Sequence, residues 1–169
     1  MSCAVKLLDA VLFFFFLVIA IVTPLFDAQT CLPKEYYPKV LVDLKSWYGN
    51  EYGDYLVMEK PSFFVGLVSL ELCVLWPLSV VNLYGLISRK SWFGTTCLIY
   101  GVSMATSMVA IIAEIIGSNR ASDTLKMIYY PFMGLSLLAV LRGLLSSSCE
   151  TRTVGSGKRP LLAARKKRA

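Results

Sequence analysis

Four acidic residues lie inside or beside long apolar runs, where an ionisable group is costly. Glu71 lies deepest, within the run Val68–Cys73, and Asp27 closes the first apolar segment of the chain. Asp9 and Glu114 lie nearer the ends of their apolar runs. A charged side chain in hydrocarbon needs a partner, a wet cavity or a bound proton. The pattern therefore indicates chemistry carried by carboxyl groups: binding of a cation or a hydroxyl, or proton transfer.

Glu71 and Asp27 form the leading candidate pair. Burial near a second carboxylate favours the neutral form of a carboxyl group, so we expect Glu71 to be protonated and to donate a hydrogen bond. Asp27 would accept that bond as a carboxylate if the two helices pack together. The pair would present one anion at the mouth of an apolar pocket, suited to an amine or a sterol hydroxyl. A structural hydrogen bond between helices, without a ligand, explains the same residues equally well. Asp9 and Glu114 are interpreted as interfacial.

Composition removes other chemistries. The chain contains no His, the commonest general base and metal ligand. Its five cysteines form no CxxC pair, and Cys73 and Cys97 lie in apolar runs, where a thiol packs as a small hydrophobe. We therefore expect no metal, no cofactor and no disulfide framework. The net charge is +6, but seven of the 17 basic residues lie after Ser146. Such a tail on an apolar body suits anionic lipid headgroups and argues against nucleic acid.

Hydropathy places the chain in a membrane. Hydrophobic residues make up 56% of the sequence and mean hydropathy is +0.63, and four stretches reach the roughly 20 residues that span a bilayer. They cover residues 7–26, 63–87, 92–117 and 128–145. A signal peptide is the alternative for the first stretch, but bulky residues follow it in place of a cleavage site. The predicted fold is an all-α membrane protein: a four-transmembrane-helix bundle over residues 1–147 with a basic tail over 148–169.

The link between the first two spans is predicted to be structured. Its 36 residues, 27–62, include six aromatic residues among charged ones, and aromatic side chains favour the headgroup level of a bilayer. Within it, Val40–Tyr48 has the spacing of an amphipathic helix, with Leu41, Leu44 and Trp47 on one face. A folded cap is one interpretation, and an ordinary interfacial loop is the other.

Prolines favour a cavity within the bundle. Pro24, Pro77 and Pro131 each fall inside a predicted span. Proline removes a backbone donor and kinks a helix, and kinked helices leave space between them. Simple helix irregularity is the alternative explanation.

The distribution of Lys and Arg predicts the orientation. With four spans, ten of these residues lie on the side of both termini and six on the other side. The positive-inside rule then places both termini in the cytoplasm and the aromatic loop in the lumen. The chain ends with Lys166 and Lys167 followed by two residues, the spacing of a dilysine retrieval signal to the endoplasmic reticulum, which is an address and not an anchor. A plain basic tail is the alternative.

Beyond composition, a stretch of sequence resembles a known family. The chain is similar to the sigma-2 receptor family, within the EXPERA or emopamil-binding-protein superfamily. The similarity is densest over Leu25–Pro77 and weaker beyond. Its matching segments are Leu25–Gln29, Leu32–Pro38, Trp47-Tyr48, Glu51–Asp54, Pro61, Leu70–Leu72, Pro77, Ile99-Tyr100 and Tyr130-Pro131.

The resemblance implies a ligand-binding role. It assigns Asp27 to the cationic amine of a ligand, Glu71 to its support by hydrogen bonding, Asp54 to closing the pocket and Tyr100 to lining it. The implied ligands are sterols, oxysterols and lipophilic amines that enter from the lipid bilayer. The implied location is the endoplasmic reticulum membrane, with a role in cholesterol homeostasis or trafficking. Partners would include other sterol-transport membrane proteins, and a homodimer is open. Phe132 replaces an expected tyrosine and Leu75 an expected glutamine, which leaves amine selectivity open.

Two other functions compete with the receptor interpretation. A sterol double-bond isomerase of the emopamil-binding type needs a positioned acid and base, and its relatives use His with Glu, so the absence of His argues against an enzyme. A structural membrane partner without a ligand is the other alternative. Against it, retaining both Asp27 and Glu71 in a bundle would cost stability.

Overall fold

The computed structural model describes residues 3–155, with side chains for residues 3–145. In this part of the chain every regular element is helical and no strand is present. Four segments are long and apolar enough to cross a membrane: Cys3–Thr30, Ser62–Ile87, Phe93–Gly117 and Asp123–Leu145. The predicted all-α, four-span membrane architecture is confirmed.

The spans are built from helices that begin and end close to the predicted positions. The first is α1, Cys3–Leu25, and the third is α6, Phe93–Gly117. The fourth is α7, Asp123–Gly155, which starts earlier and ends later than residues 128–145. The predicted start of the tail at residue 148 therefore lies within a helix. Residues 156–169, with Lys166 and Lys167, lie outside the described part of the chain.

The second span is not one regular helix. It consists of α4, Ser62–Leu70, a π-helical turn, Glu71–Leu75, and α5, Trp76–Ile87. Pro77 has no N–H to donate to the carbonyl one turn before it, and the wide turn lies just ahead of it. Pro24 likewise leaves the Ala20 carbonyl without its helical donor, and the indole of Trp76 donates to that oxygen at 3.0 Å. The freed group is thus satisfied by a neighbouring span.

The link between the first two spans forms a folded cap. It contains two 3₁₀ turns, Asp27–Thr30 and Lys34–Tyr36, and two helices, α2 at Lys39–Tyr52 and α3 at Tyr55–Glu59. Gly53 ends α2 in the left-handed conformation, with φ of 64°, which glycine adopts without strain.

The predicted helix at Val40–Tyr48 exists, but the face expected to define it does not pack on the bundle. Leu44 and Trp47 are 47% and 53% exposed, whereas Lys45 is buried at 7%. The reason is that Lys45 finds oxygen acceptors at the end of α1, while the apolar side chains can face the bilayer surface.

Packing between spans fixes the bundle from one end to the other. Phe15 and Phe16 of α1 contact the fully buried ring of Tyr100 edge-on, with centroids 5.8 and 5.0 Å away. Near the opposite end from the cap, Thr96 of α6 donates to Asn82 of α5 at 2.6 Å. At that same end Arg142 of α7 forms an ion pair with Asp9 of α1.

Candidate functional site

A cavity of about 330 Å³ lies between the four spans, directly beneath the cap. Its volume is at the lower end of the range for small-molecule sites. Most of its wall is apolar, and each span and the cap contribute to it. Representative lining residues are Val22, Tyr48, Phe64, Val68, Met104, Met108 and Phe132.

Three of the predicted site residues, Asp27, Glu71 and Asp54, line this one cavity. Asp27 begins the 3₁₀ turn that follows α1, and Glu71 begins the π-helical turn. The wide turn in the second span therefore helps to set the direction of the Glu71 side chain. Carboxyl groups that are far apart in sequence converge on an otherwise apolar space.

Thr23 links the two carboxyl groups of the predicted pair. Its hydroxyl donates to Glu71 Oε1 at 3.0 Å, and the same side chain lies within interaction range of Asp27. Among the described residues no hydrogen bond joins Asp27 directly to Glu71. The two acids thus share an environment through Thr23, one turn of α1 before Asp27.

Asp54 is held in place by the cap and the fourth span. One carboxylate oxygen accepts from the backbone N–H of Val57 at 3.2 Å, capping α3, and the other accepts from the Tyr129 hydroxyl at 2.9 Å. The side chain is fully buried. Burial raises the pKa of Asp54 above its usual value, while the hydrogen bonds from Tyr129 and Val57 act in the opposite direction.

Two lysines donate hydrogen bonds to oxygen atoms of the residues on either side of Asp27 in the sequence. Lys45 Nζ donates to Phe26 O at 2.8 Å and to Thr30 Oγ1 at 2.7 Å. Lys60 Nζ donates to Gln29 O at 3.0 Å and to Thr30 O at 3.2 Å. Carbonyls at the end of a helix carry partial negative charge, so cations are favoured there. No ion pair within 4 Å joins either lysine to Asp27 in the described part of the chain.

The remaining predicted positions differ in their relation to the cavity. Tyr100 packs against the rings of Phe15 and Phe16 and is not among the residues that line the cavity. Its buried hydroxyl has no hydrogen-bond partner among the described residues. Leu75 and Phe132, the two departures from the expected family pattern, both line the cavity. Two positions at which the family resemblance leads us to expect polar side chains therefore carry apolar side chains in the wall of this cavity.

The acids interpreted as interfacial lie elsewhere. Asp9 is bound by Arg142 near the far end of the bundle. Glu114 lies in the last turns of α6, where its backbone carbonyl accepts from the Tyr55 hydroxyl at 3.4 Å. Neither lines the cavity beneath the cap. In the described residues no group of three or more Cys, Asp and Glu side chains is arranged to hold a metal ion.

Sequence reasoning missed Thr23, Lys45 and Tyr129 as neighbours of the acids. Thr23 carried a readable signal, since it is a polar residue four positions before Asp27 in an apolar helix. Lys45 and Tyr129 carried none, because their roles depend on how the cap and the fourth span fold over the cavity.

Comparison with known proteins identifies the family. The sequence profile of EXPERA (EXPanded EBP superfamily) matches residues 40–143. The chain belongs to the EXPERA family. This EXPERA protein is 30% identical to sigma intracellular receptor 2 of Xenopus tropicalis over 159 residues, which cover 86% of the chain and 93% of the relative.

A second relative supports the same assignment over a shorter stretch. Sigma intracellular receptor 2 of Homo sapiens is 30% identical over 93 residues, covering 54% of the EXPERA chain and 53% of the human protein. The resemblance expected from the residues around Asp27, Asp54 and Glu71 is confirmed at the level of the family.

Proposed function

We propose that this EXPERA protein is a receptor of the sigma-2 type, which binds sterols, oxysterols and lipophilic amines in the cavity beneath the cap. The observation that carries the proposal is the convergence of Asp27, Glu71 and Asp54 on one apolar cavity. An apolar wall suits a sterol body, and a few placed polar groups suit a hydroxyl or an amine. The names of the relatives support a receptor.

Each acid has a distinct role in this proposal. Asp27 is the anionic anchor, exposed to the cavity at the end of α1. Glu71, held by Thr23, is its protonated support, with an O–H that would donate a hydrogen bond to a sterol hydroxyl or to the Asp27 carboxylate. Asp54 closes the cavity from the cap, where Tyr129 and the start of α3 hold it. Tyr100 does not line the cavity but packs the third span against the first.

Binding is proposed in preference to catalysis. Moving a sterol double bond requires protonation of one carbon and deprotonation of another, and the chain has no His to serve beside a carboxyl group. The protein would reside in the endoplasmic reticulum membrane, retrieved by Lys166 and Lys167, and would act in cholesterol homeostasis or trafficking. Ligands would enter from the bilayer, into which sterols already partition.

The test is equilibrium binding of a labelled oxysterol and a labelled lipophilic amine to the purified full chain. Asp27→Asn removes the charge at constant size, and we expect amine affinity to fall at least tenfold, because a desolvated ion pair is lost. Asp43→Asn, an exposed acid of α2 outside the cavity, is the matched control and should bind as the wild type does. Absence of saturable binding to the wild type would contradict the receptor assignment. Turnover of a sterol substrate would favour the isomerase.

A further inference from the structure

A second cavity lies at the opposite end of the bundle and differs in character from the first. It has a volume of about 850 Å³. It is lined by the beginning of α1, the tight link between α5 and α6, and α7. Four basic residues line it, against the single acid Asp9: they are Lys6, Arg89, Lys90 and Arg142.

The charges in this cavity are not balanced from within. Asp9 is bound by Arg142. Among the described residues, Lys6, Arg89 and Lys90 form no ion pair within 4 Å. An excess of about three positive charges therefore faces one space, and these residues are separate from the basic tail. Concentrated positive charge in a cleft attracts an anion.

The link that carries two of these cations has a fixed shape. Arg89 takes the left-handed conformation, with φ of 49°, directly after α5 ends. The backbone N–H of Lys90 donates to Gly85 O at 2.9 Å, and that of Phe93 donates to Lys90 O at 3.2 Å. This closing of the helix end fixes the backbone from which the exposed Arg89 and Lys90 side chains project.

Aromatic rings adjacent to residues that line the cavity favour a position at headgroup level. The rings of Tyr84 and Trp92 stack with centroids 6.3 Å apart, and Lys90 Nζ lies 5.5 Å from the centre of the Tyr84 ring. Trp92 packs tightly on Gly85, where an added Cβ would approach the indole to 2.7 Å. Tyr and Trp favour the boundary between hydrocarbon and water, where the phosphates of lipids lie.

We propose that this second cavity binds the phosphate group of an anionic phospholipid. Cytoplasmic leaflets carry anionic lipids, and basic pockets between helix ends on that side are suited to their headgroups. The orientation proposed for the chain puts this cavity on that side. A bound headgroup would bridge α1, the α5–α6 link and α7, and would hold the far end of the bundle together independently of any ligand beneath the cap. A soluble phosphate compound would present the same group to the cavity, and a competition experiment distinguishes it from a lipid headgroup.

The test is binding of phosphatidylinositol 4-phosphate and of phosphatidylcholine to the full chain in neutral detergent, measured by native mass spectrometry. We expect the wild type to prefer the anionic lipid, and the double variant Arg89→Asn, Lys90→Gln to lose about thirtyfold in its affinity. Asparagine tolerates the left-handed conformation at position 89, so the turn is retained. The double variant Lys34→Gln, Lys39→Gln removes the same charge from exposed positions in the cap and should bind the anionic lipid as the wild type does.

Each other outcome overturns the proposal. Equal affinity of the wild type for both lipids would mean that the cavity does not recognise an anionic headgroup. An equal loss in the two double variants would mean that only the net charge of the protein matters. Displacement of the lipid by millimolar inorganic phosphate or inositol phosphate would assign the cavity to a soluble anion. The melting temperature of each lipid-free variant, compared with that of the wild type, shows whether a loss of binding reflects a loss of folding. If the double variant at Arg89 and Lys90 is well folded and still prefers the anionic lipid, the site is rejected.

Discussion

Lys45 brings a positive charge close to the acids beneath the cap. Its ammonium group is buried against the Phe26 carbonyl and the Thr30 hydroxyl, with the Phe26 ring 5.2 Å away. Burial lowers the pKa of Lys45 to about 8, while the nearby Asp27 carboxyl acts in the opposite direction. The charged or titratable groups that face it are Asp27, Lys60, Cys31 and Asp54. At neutral pH this ammonium opposes the negative charge offered to a ligand.

The charge of Lys45 predicts a pH-dependent selectivity. As pH rises from 7 to 9, Lys45 passes its pKa of about 8 and loses its positive charge, so the affinity for a permanently charged quaternary amine should rise. Lys45→Met should raise that affinity by roughly tenfold over the wild type at pH 7. At pH 9, where the wild-type lysine is mostly neutral, the variant and the wild type should differ less. The affinity for an uncharged sterol should be the same in both. Binding of both ligands at the two pH values measures this, with exposed Lys39→Met as control. Asp27 and Asp54 are present in both proteins, so only the charge of Lys45 distinguishes them. If the amine affinity of Lys45→Met changes with pH as that of the wild type does, the role of Lys45 is contradicted.

Single residues could be predicted where their burial in the membrane carries a large free-energy cost. A carboxyl group in an apolar run is conspicuous in any sequence, which is why Asp27 and Glu71 could be selected without a structure. Lys45 was not, because a lysine in a polar loop normally faces water. Its burial follows from acceptors supplied by α1, and nothing in the sequence pairs it with them.

At the scale of elements, the second span shows what helix periodicity leaves out. An apolar run near Pro77 predicts a span with a local disturbance, and that much was correct. The wide turn at Glu71–Leu75 changes the angular relation between α4 and α5, which decides that Glu71 lines the cavity. Hydropathy is the same for an α-helix and a π-helical turn, so it does not reveal the turn, which Pro77 and the packing against Thr23 and the neighbouring spans favour.

Close approach of the third and fourth spans depends on glycine. A Cβ added to Gly101 of α6 would lie 2.6 Å from the backbone N of Val140 and 2.9 Å from Ser136 O in α7. A Cβ on Gly143 of α7 would likewise meet Gly94 O at 2.8 Å. Small residues let helix backbones approach in a membrane, where packing replaces the hydrophobic effect as the main source of association.

Gly101→Ala should therefore destabilise the bundle by about 1–3 kcal/mol, because the backbone of α7 has to move. Gly66→Ala is the matched control in α4: its Cβ meets nothing within 4 Å, and it should be neutral or stabilise the helix by up to about 1 kcal/mol. Unfolding of the purified protein in mixed micelles, followed by circular dichroism, measures both. Equal stability of the two variants would mean that α6 and α7 pack differently.

At the scale of the whole molecule, the two cavities lie near opposite ends of the bundle of spans. Asp9 and Asp27 are separated by about 27 Å along the first span at 1.5 Å per residue, close to the thickness of the hydrocarbon core, about 30 Å. The number of spans and the bias of Lys and Arg followed from the sequence, because both depend on composition along the chain. A cavity within the bundle was also predicted, from the prolines, but its walls and the second cavity were not, because these form where the faces of several helices meet.

The orientation of the chain decides which surface each cavity faces. Asn50 is exposed in α2 and is followed by Glu51 and Tyr52, so Tyr52→Thr creates the glycosylation acceptor Asn-Glu-Thr in the cap. If the cap is lumenal, this variant should gain a glycan, seen as a mobility shift that a glycosidase removes. Tyr52→Val, which has the same shape but no hydroxyl, should not, and neither should an acceptor fused ahead of Met1. The reverse pattern would place the basic cavity in the lumen, away from the anionic leaflet, and would contradict its assignment to a phospholipid.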